Sequence, residues 1–127
     1  MSRNILIVDD SATIRRMGRR TLDIAGLDYG EIYEAANGIE ALAQLADHDV
    51  AVVVVDINMP TMNGVQLLQR MKQNQRLQHL PIVIASTEGS RQRIDQLIEY
   101  GAIDYVRKPF QPEQLRDALK PILGVKD

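Results

Sequence analysis

VVVVDINMPTMNG, residues 52–64, decides the fold. Four consecutive valines suit a strand covered on both faces, the condition of a parallel sheet sandwiched between helices. The run ends on a carboxylate, Asp56, with no basic residue near it in sequence. ILIVDD, residues 5–10, repeats the device with Asp9 and Asp10. Acids at the ends of the most apolar segments are costly to bury and call for a chemical reason.

Working outward, short apolar runs alternate with segments of helical period, the pattern of βα units around a parallel sheet. The expected strands are Ile5–Asp9, Glu31–Ala35, Ala51–Asp56, Ile82–Ser86 and Asp104–Val106. The first, third and fourth are nearly all apolar and belong in the centre; the second and fifth belong at the edges. Helical stripes fall between them: Ile14, Met17, Thr21 and Leu22; Ile39, Leu42, Leu45 and Ala46; Val65, Leu68 and Met71; Ile94, Leu97 and Ile98; Leu115, Ala118, Leu119 and Ile122. Asn37 and Ser90 are expected N-caps, Gly101 a helix stop and Pro112 a first-turn proline. Pro121 should end or kink the last helix. The result is one α/β domain over residues 1–127, a doubly wound (βα)5 sandwich. In such sheets ligands collect at the carboxyl ends of the strands. Asp9, Asp10, Asp56 and Ser86 fall at that edge, with Lys108 just beyond the fifth strand.

Composition narrows the function classes. The chain has 127 residues, 45% hydrophobic, with 15 basic against 17 acidic residues and a net charge of -2. One core can be buried without metals or disulfides, and nothing in the balance argues for nucleic acid or a membrane surface. One Phe and no Trp leave few stacking platforms for single strands. The absence of cysteine excludes a thiol nucleophile and a thiolate metal site and fits a reducing compartment. No apolar stretch approaches a membrane span, so the expectation is a soluble, cytoplasmic protein.

The acids themselves point to chemistry. Two carboxylates about 4 Å apart repel by about 4 kcal/mol at an effective dielectric near 20. Such crowding is relieved by proton uptake or by a cation. An all-oxygen ligand set suits Mg²⁺, which completes its shell on a phosphoryl oxygen. Lys108 and Ser86 fit the other side of an anionic guest, as a point charge and a hydroxyl donor. A carboxylate beside Mg²⁺ can attack phosphorus and become an aspartyl phosphate. Asp56, alone on the central strand, is the best nucleophile, while Asp9 and Asp10 are better placed for metal.

LIVDDS (6–11), VVDINMPTMNG (54–64), Ser86 and YVRKPF (105–110) together resemble the receiver domain of two-component response regulators across the whole chain, in its stand-alone CheY-like form. The resemblance implies the flavodoxin/CheY-like strand order 2-1-3-4-5. It makes Asp56 the phosphorylation site, Asp10 and Asp56 direct Mg²⁺ ligands, Asp9 a ligand through water, and the backbone carbonyl of Asn58 a further ligand. Lys108 would pair with the phosphoryl group, Ser86 would move to hydrogen-bond it, and Tyr105 would change rotamer in response. The Lys108–Pro109 peptide would be cis. The donor would be a CheA-like histidine kinase or a histidine phosphotransfer protein, and output would pass to a protein partner on the face of the fourth helix, fifth strand and fifth helix. A monomer, or a dimer formed on phosphorylation, is implied; catalysis would be limited to the protein's own phosphotransfer and autodephosphorylation. Thr87 follows the switch hydroxyl where the family often has a smaller residue, and Asn58 and Glu88 stand where the family tunes dephosphorylation.

Blander readings stand beside these. Asp9 and Asp10 alone would cap the first helix near Ser11; Lys108 alone would be a solvated loop lysine, Ser86 a strand-end hydroxyl and Tyr105 an edge-strand aromatic. His48 and His79 read as surface residues. RRMGRR, residues 15–20, sets Arg15 with Arg19 and Arg16 with Arg20 on a helix, by default a solvated face. Two other functions compete with this reading. A phosphatase working through an aspartyl phosphate wants a second acid two residues after the nucleophile, where Asn58 stands. A nucleotide or flavin module wants glycine after the first strand, where the sequence is DDSAT.

Overall fold

The computed structural model describes residues 3–57, 59, 61–87 and 91–125, with the backbone alone at Arg93. Strands β1 (Ile5–Val8), β2 (Ile32–Ala35), β3 (Val52–Asp56), β4 (Ile82–Ser86) and β5 (Asp104–Arg107) alternate with helices α1 (Ala12–Ile24), α2 (Gly38–Asp47), α3 (Gly64–Lys72), α4 (Arg91–Glu99) and α5 (Pro112–Leu123). The strands pair in parallel in the order β2-β1-β3-β4-β5, so the three most apolar ones are central, as expected.

Strand alternation sorts the apolar residues into two cores. Val53 and Val55, with Leu6, Val8, Ile82 and Ile84, pack under α2, α3 and α4 against Leu45, Leu68, Met71 and Leu97. Val52 and Val54, with Ile5, Ile7, Val83 and Ala85, pack under α1 and α5 against Leu22, Leu115 and Leu119. The four valines therefore serve both faces, two to each. Among the described residues, no helix is long and apolar enough to cross a membrane.

Several boundaries and faces differ from the sequence reading. β1 stops at Val8 because the chain beyond it peels from the ladder after one more bond, the Asp9 amide to the Ala35 carbonyl at 3.0 Å. β2 begins at Ile32 and β3 at Val52, one residue late, and β5 runs one residue further, because Arg107 pairs with Ser86. α1 is turned from the expected stripe: Met17 is exposed, whereas Gly18 is buried against Ile7 and Phe110. In α2, Gly38 and Ala41 are buried while Ile39 lies 54% exposed. Pro121 sits inside α5, which continues to Leu123: with only two residues left, the missing amide removes one bond near a frayed end. Ser11, rather than either aspartate, caps α1, and Asn37 caps α2 as expected. Ser90 lies outside the described residues.

Candidate functional site: an acid crevice at the carboxyl edge of the sheet

β1 and β3 are neighbours and run the same way, so their terminal acids meet. The pairing sets Val8 beside Val55, which puts Asp9 level with Asp56 one step on. One carboxylate oxygen from each of Asp9, Asp10 and Asp56 lies within 4.8 Å of the others. Asp9 and Asp56 are buried, at 3% and 8% exposure, and Asp10 is exposed. Gly64 lies close behind the backbone of Asp56. A Cβ there would stand 2.4 Å from the Asp56 carbonyl oxygen, and the Gly64 amide donates to the Ile57 carbonyl at 2.9 Å. Only glycine permits α3 to start this close to the end of β3.

Lys108 closes the crevice. Its amide donates to the Ser86 carbonyl at 2.9 Å, extending the β4–β5 ladder past Arg107, and the next peptide, Lys108–Pro109, is cis as the resemblance implied. The side chain then turns inward to pair with Asp9 and stands 3.4 Å from an Asp56 oxygen. The crowding of three carboxylates thus meets an internal cation before any metal arrives, a relief that the sequence reading did not consider. Asp9 is otherwise fully engaged: its Oδ1 accepts from the Ser11 amide at 3.0 Å, and its backbone carbonyl accepts from Arg15 Nη1 at 2.6 Å.

Ser86 and Tyr105 continue the opposite strand parity, facing the α2–α4 side. Ser86 ends β4, 1% exposed, next to Ala85, the cross-strand partner of Asp56. The Tyr105 hydroxyl donates to the Ser86 carbonyl at 3.2 Å, joining the two expected switch residues. Asn58 and Glu88 lie outside the described residues. His48 stacks on Tyr33 with ring centroids 4.0 Å apart.

Arg15 and Glu34 were missed. Glu34, in β2, accepts from Arg15 Nε at 2.8 Å and from Arg19 Nε at 2.5 Å. Burial alone would raise the Glu34 carboxyl, but hydrogen bonds and charge from the two guanidiniums prevail and hold it below its ordinary value. Of the basic stripe, only Arg16 and Arg20 keep the solvated role expected of all four. An arginine five residues after a strand-end acid pair was the available signal, but its partner in β2 gave none.

The donor set suits a hard divalent cation. All three groups offer oxygen, the donor type that a hard divalent cation prefers, and they would be the residues to hold one. Fold and crevice together define a doubly wound α/β protein with an acidic cluster and a lysine gathered at the carboxyl edge of its sheet.

Comparison with known proteins agrees. The model of the response regulator receiver domain matches residues 5–120. Chemotaxis protein CheY1 of Helicobacter pylori is 37% identical over 124 residues, covering 97% of this chain and 98% of that one. Vibrio cholerae CheY-3 is 36% identical over 118 residues, covering 93% and 89%. The structure of Vibrio cholerae CheY4 superposes with a TM-score of 0.84 at 35% identity, covering 97% and 100%. The CheX–CheY–BeF3–Mg complex of Borrelia burgdorferi gives 0.83 at 25% identity, covering 94% and 87%. This chain belongs to the response regulator receiver domain family. It is a phosphorylation-activated signalling switch homologous to CheY, of a kind that takes its phosphoryl group from a histidine kinase and acts on protein partners.

Proposed function

We propose that residues 1–127 act as one receiver domain in which Asp56 accepts the phosphoryl group. The observation that carries this reading is the meeting of Asp9, Asp10 and Asp56 within 4.8 Å, with Lys108 paired to Asp9 and 3.4 Å from Asp56. Asp56 attacks the phosphorus of a partner's phosphohistidine in line; the O–P bond forms, the P–N bond breaks, and the imidazole leaves with a proton from solvent. Asp10 and Asp56 would hold Mg²⁺ directly, Asp9 through water, and the Asn58 carbonyl would complete the protein's share. When bound, Mg²⁺ neutralises charge on the phosphoryl oxygens. Lys108 releases part of its contact with Asp9 to pair with the new phosphoryl group. Ser86 turns its hydroxyl toward the same group, and Tyr105, bonded to the Ser86 carbonyl, changes rotamer with it.

Output leaves by the face of α4, β5 and α5 to a protein partner. Ile98, Tyr100 and Ile103, exposed at 42%, 40% and 50%, supply apolar anchors along the α4 to β5 part of that face. The donor is a CheA-like kinase or a histidine phosphotransfer protein, in the cytoplasm. The protein catalyses only its own phosphotransfer and autodephosphorylation, and works as a monomer, or as a dimer once phosphorylated. Asn58 in place of a second acid counts against the phosphatase alternative, and nothing in the comparisons favours it.

Incubation with Mg²⁺ and acetyl phosphate, read by intact mass, should add one phosphoryl group to the wild type and none to Asp56→Asn. An unlabelled wild type, or labelling that survives the substitution, ends the assignment.

A further inference from the structure

Parallel pairing explains an oddity at Asp9. Residues 5 and 9 of the first strand donate to the carbonyls of Glu31 and Ala35 in the second, so the Asp9 carbonyl would next accept from the amide of residue 37. That amide is not delivered. Asn37 has left the strand to cap α2, with its side chain accepting from the Glu40 amide at 2.9 Å. The bond goes instead to Arg15 Nη1 at 2.6 Å. The Arg15 side chain is 17% exposed and its Nε is committed to Glu34, which Arg19 grips from the other side while donating to the Ile32 carbonyl at 2.8 Å. The strand-end acid is thus tied through Arg15 to both α1 and the edge strand.

We propose that Arg15 is the positioning residue of the acid crevice. By holding the Asp9 carbonyl it fixes the Asp9–Asp10 peptide plane, and so the direction in which the two neighbouring carboxylates are presented to a divalent cation. The inference rests on reading the crevice as a cation and phosphoryl site. A peptide group is planar, so anchoring one oxygen sets the amide and the Cα of the next residue. Asp10 depends on this most. Among the described residues nothing hydrogen-bonds its carboxylate, whereas Asp9 has Ser11 and Lys108 as well. Two ends of a forked, planar group are needed, one on Glu34 and one on the carbonyl; a lysine ammonium cannot span both in fixed geometry.

Charge and position make opposite predictions. If Arg15 acted only as a nearby positive charge it would compete with a cation, so Arg15→Ala would bind Mg²⁺ more tightly and Arg15→Lys would match the wild type. If it positions the ligands, both variants should bind Mg²⁺ about tenfold more weakly, the lower end of the loss usual for groups that orient metal ligands. Isothermal titration with Mg²⁺ reads the affinity, after urea melts in EDTA have shown that each variant folds. Glu34→Gln, which leaves Arg15 in place but loosens its anchor, should give a smaller loss of the same sign. In the metal-free protein, ¹⁵N relaxation should show the Asp10 amide more mobile in both Arg15 variants and unchanged in Arg16→Ala. Equal or tighter Mg²⁺ binding in Arg15→Ala, or rescue by lysine, overturns the proposal. A wild type that binds no Mg²⁺ would count against the proposed function instead, and the relaxation measurement would then decide the role of Arg15 by itself.

Discussion

Thr61 stands at a φ of 66°, the one non-glycine residue with positive φ among those described, in the loop between Asp56 and α3. A β-branched side chain in the left-handed region costs about 1–2 kcal/mol, and Thr61 is exposed, so little burial offsets it. Replacing it by glycine removes that strain but adds chain entropy to the unfolded state, worth about 0.5–1 kcal/mol in the other direction. Thr61→Gly should therefore raise the unfolding free energy in urea by up to about 1 kcal/mol. A loss of stability would show that the hydroxyl or methyl makes a contact larger than the strain. Strain of this kind gathers where a loop must hold a site rather than merely join two elements. At the same scale, Asp9, Asp10 and Asp56 were legible because an ionisable group on an apolar strand is an anomaly in any sequence. The Lys108 clamp was not: it joins residues 99 positions apart, and nothing local to either announces the other. The Asp9 carbonyl was less legible still, since backbone groups leave no trace in residue type.

Elements were legible in number and kind, and less so in rotation. α1 shows why. A stripe of Ile14, Met17 and Leu22 is the natural apolar face, yet the helix turns Gly18 inward, which makes room for Phe110 and aims Arg15 and Arg19 at Glu34 of β2. Hydrophobicity alone cannot weigh a buried glycine or a paired arginine. The start of α3 was unmarked for a similar reason: its capping box, Asn63 with Gln66, is polar and local, and the apolar stripe says nothing of it. The α1–β2 tie has a pH signature. The folded carboxyl of Glu34 lies below its ordinary value of 4.5, first because two guanidinium hydrogen bonds outweigh the opposing effect of burial. A depressed folded value means that the contribution is complete above the unfolded value and is lost as pH falls through the folded one. The stability gap between wild type and Glu34→Gln should thus be constant near neutrality and shrink as pH drops below about 4.5. Urea melts across that range give the test; a gap that persists after acidification would mean that Glu34 acts by packing and not by its charge.

At the scale of the molecule, one sheet divides two apolar cores and gathers its polar groups at one edge, so the site is bound to the fold as a whole. The order of strands was not in the apolar pattern, which says which strands are central and no more; the resemblance supplied it. Asp9 and Asp56 meet only because β1 and β3 are neighbours with the same direction and register. Like charges held at that meeting should weaken the metal-free fold by more than the single cation of Lys108 offsets, and a cation that binds the folded chain alone must strengthen it. Stability should then rise with Mg²⁺ by about 1.4 kcal/mol for each tenfold excess over the dissociation constant, with the urea slope unchanged because the same surface is exposed on unfolding. Asp56→Asn should reverse the order of effects. Without Mg²⁺ it should be about 1 kcal/mol more stable than the wild type, having one carboxylate fewer in the crevice, and its gain from Mg²⁺ should be smaller. Parallel Mg²⁺ responses in the two proteins would place the cation elsewhere, and a less stable variant in EDTA would show that the Lys108 contact to Asp56 outweighs the repulsion it relieves.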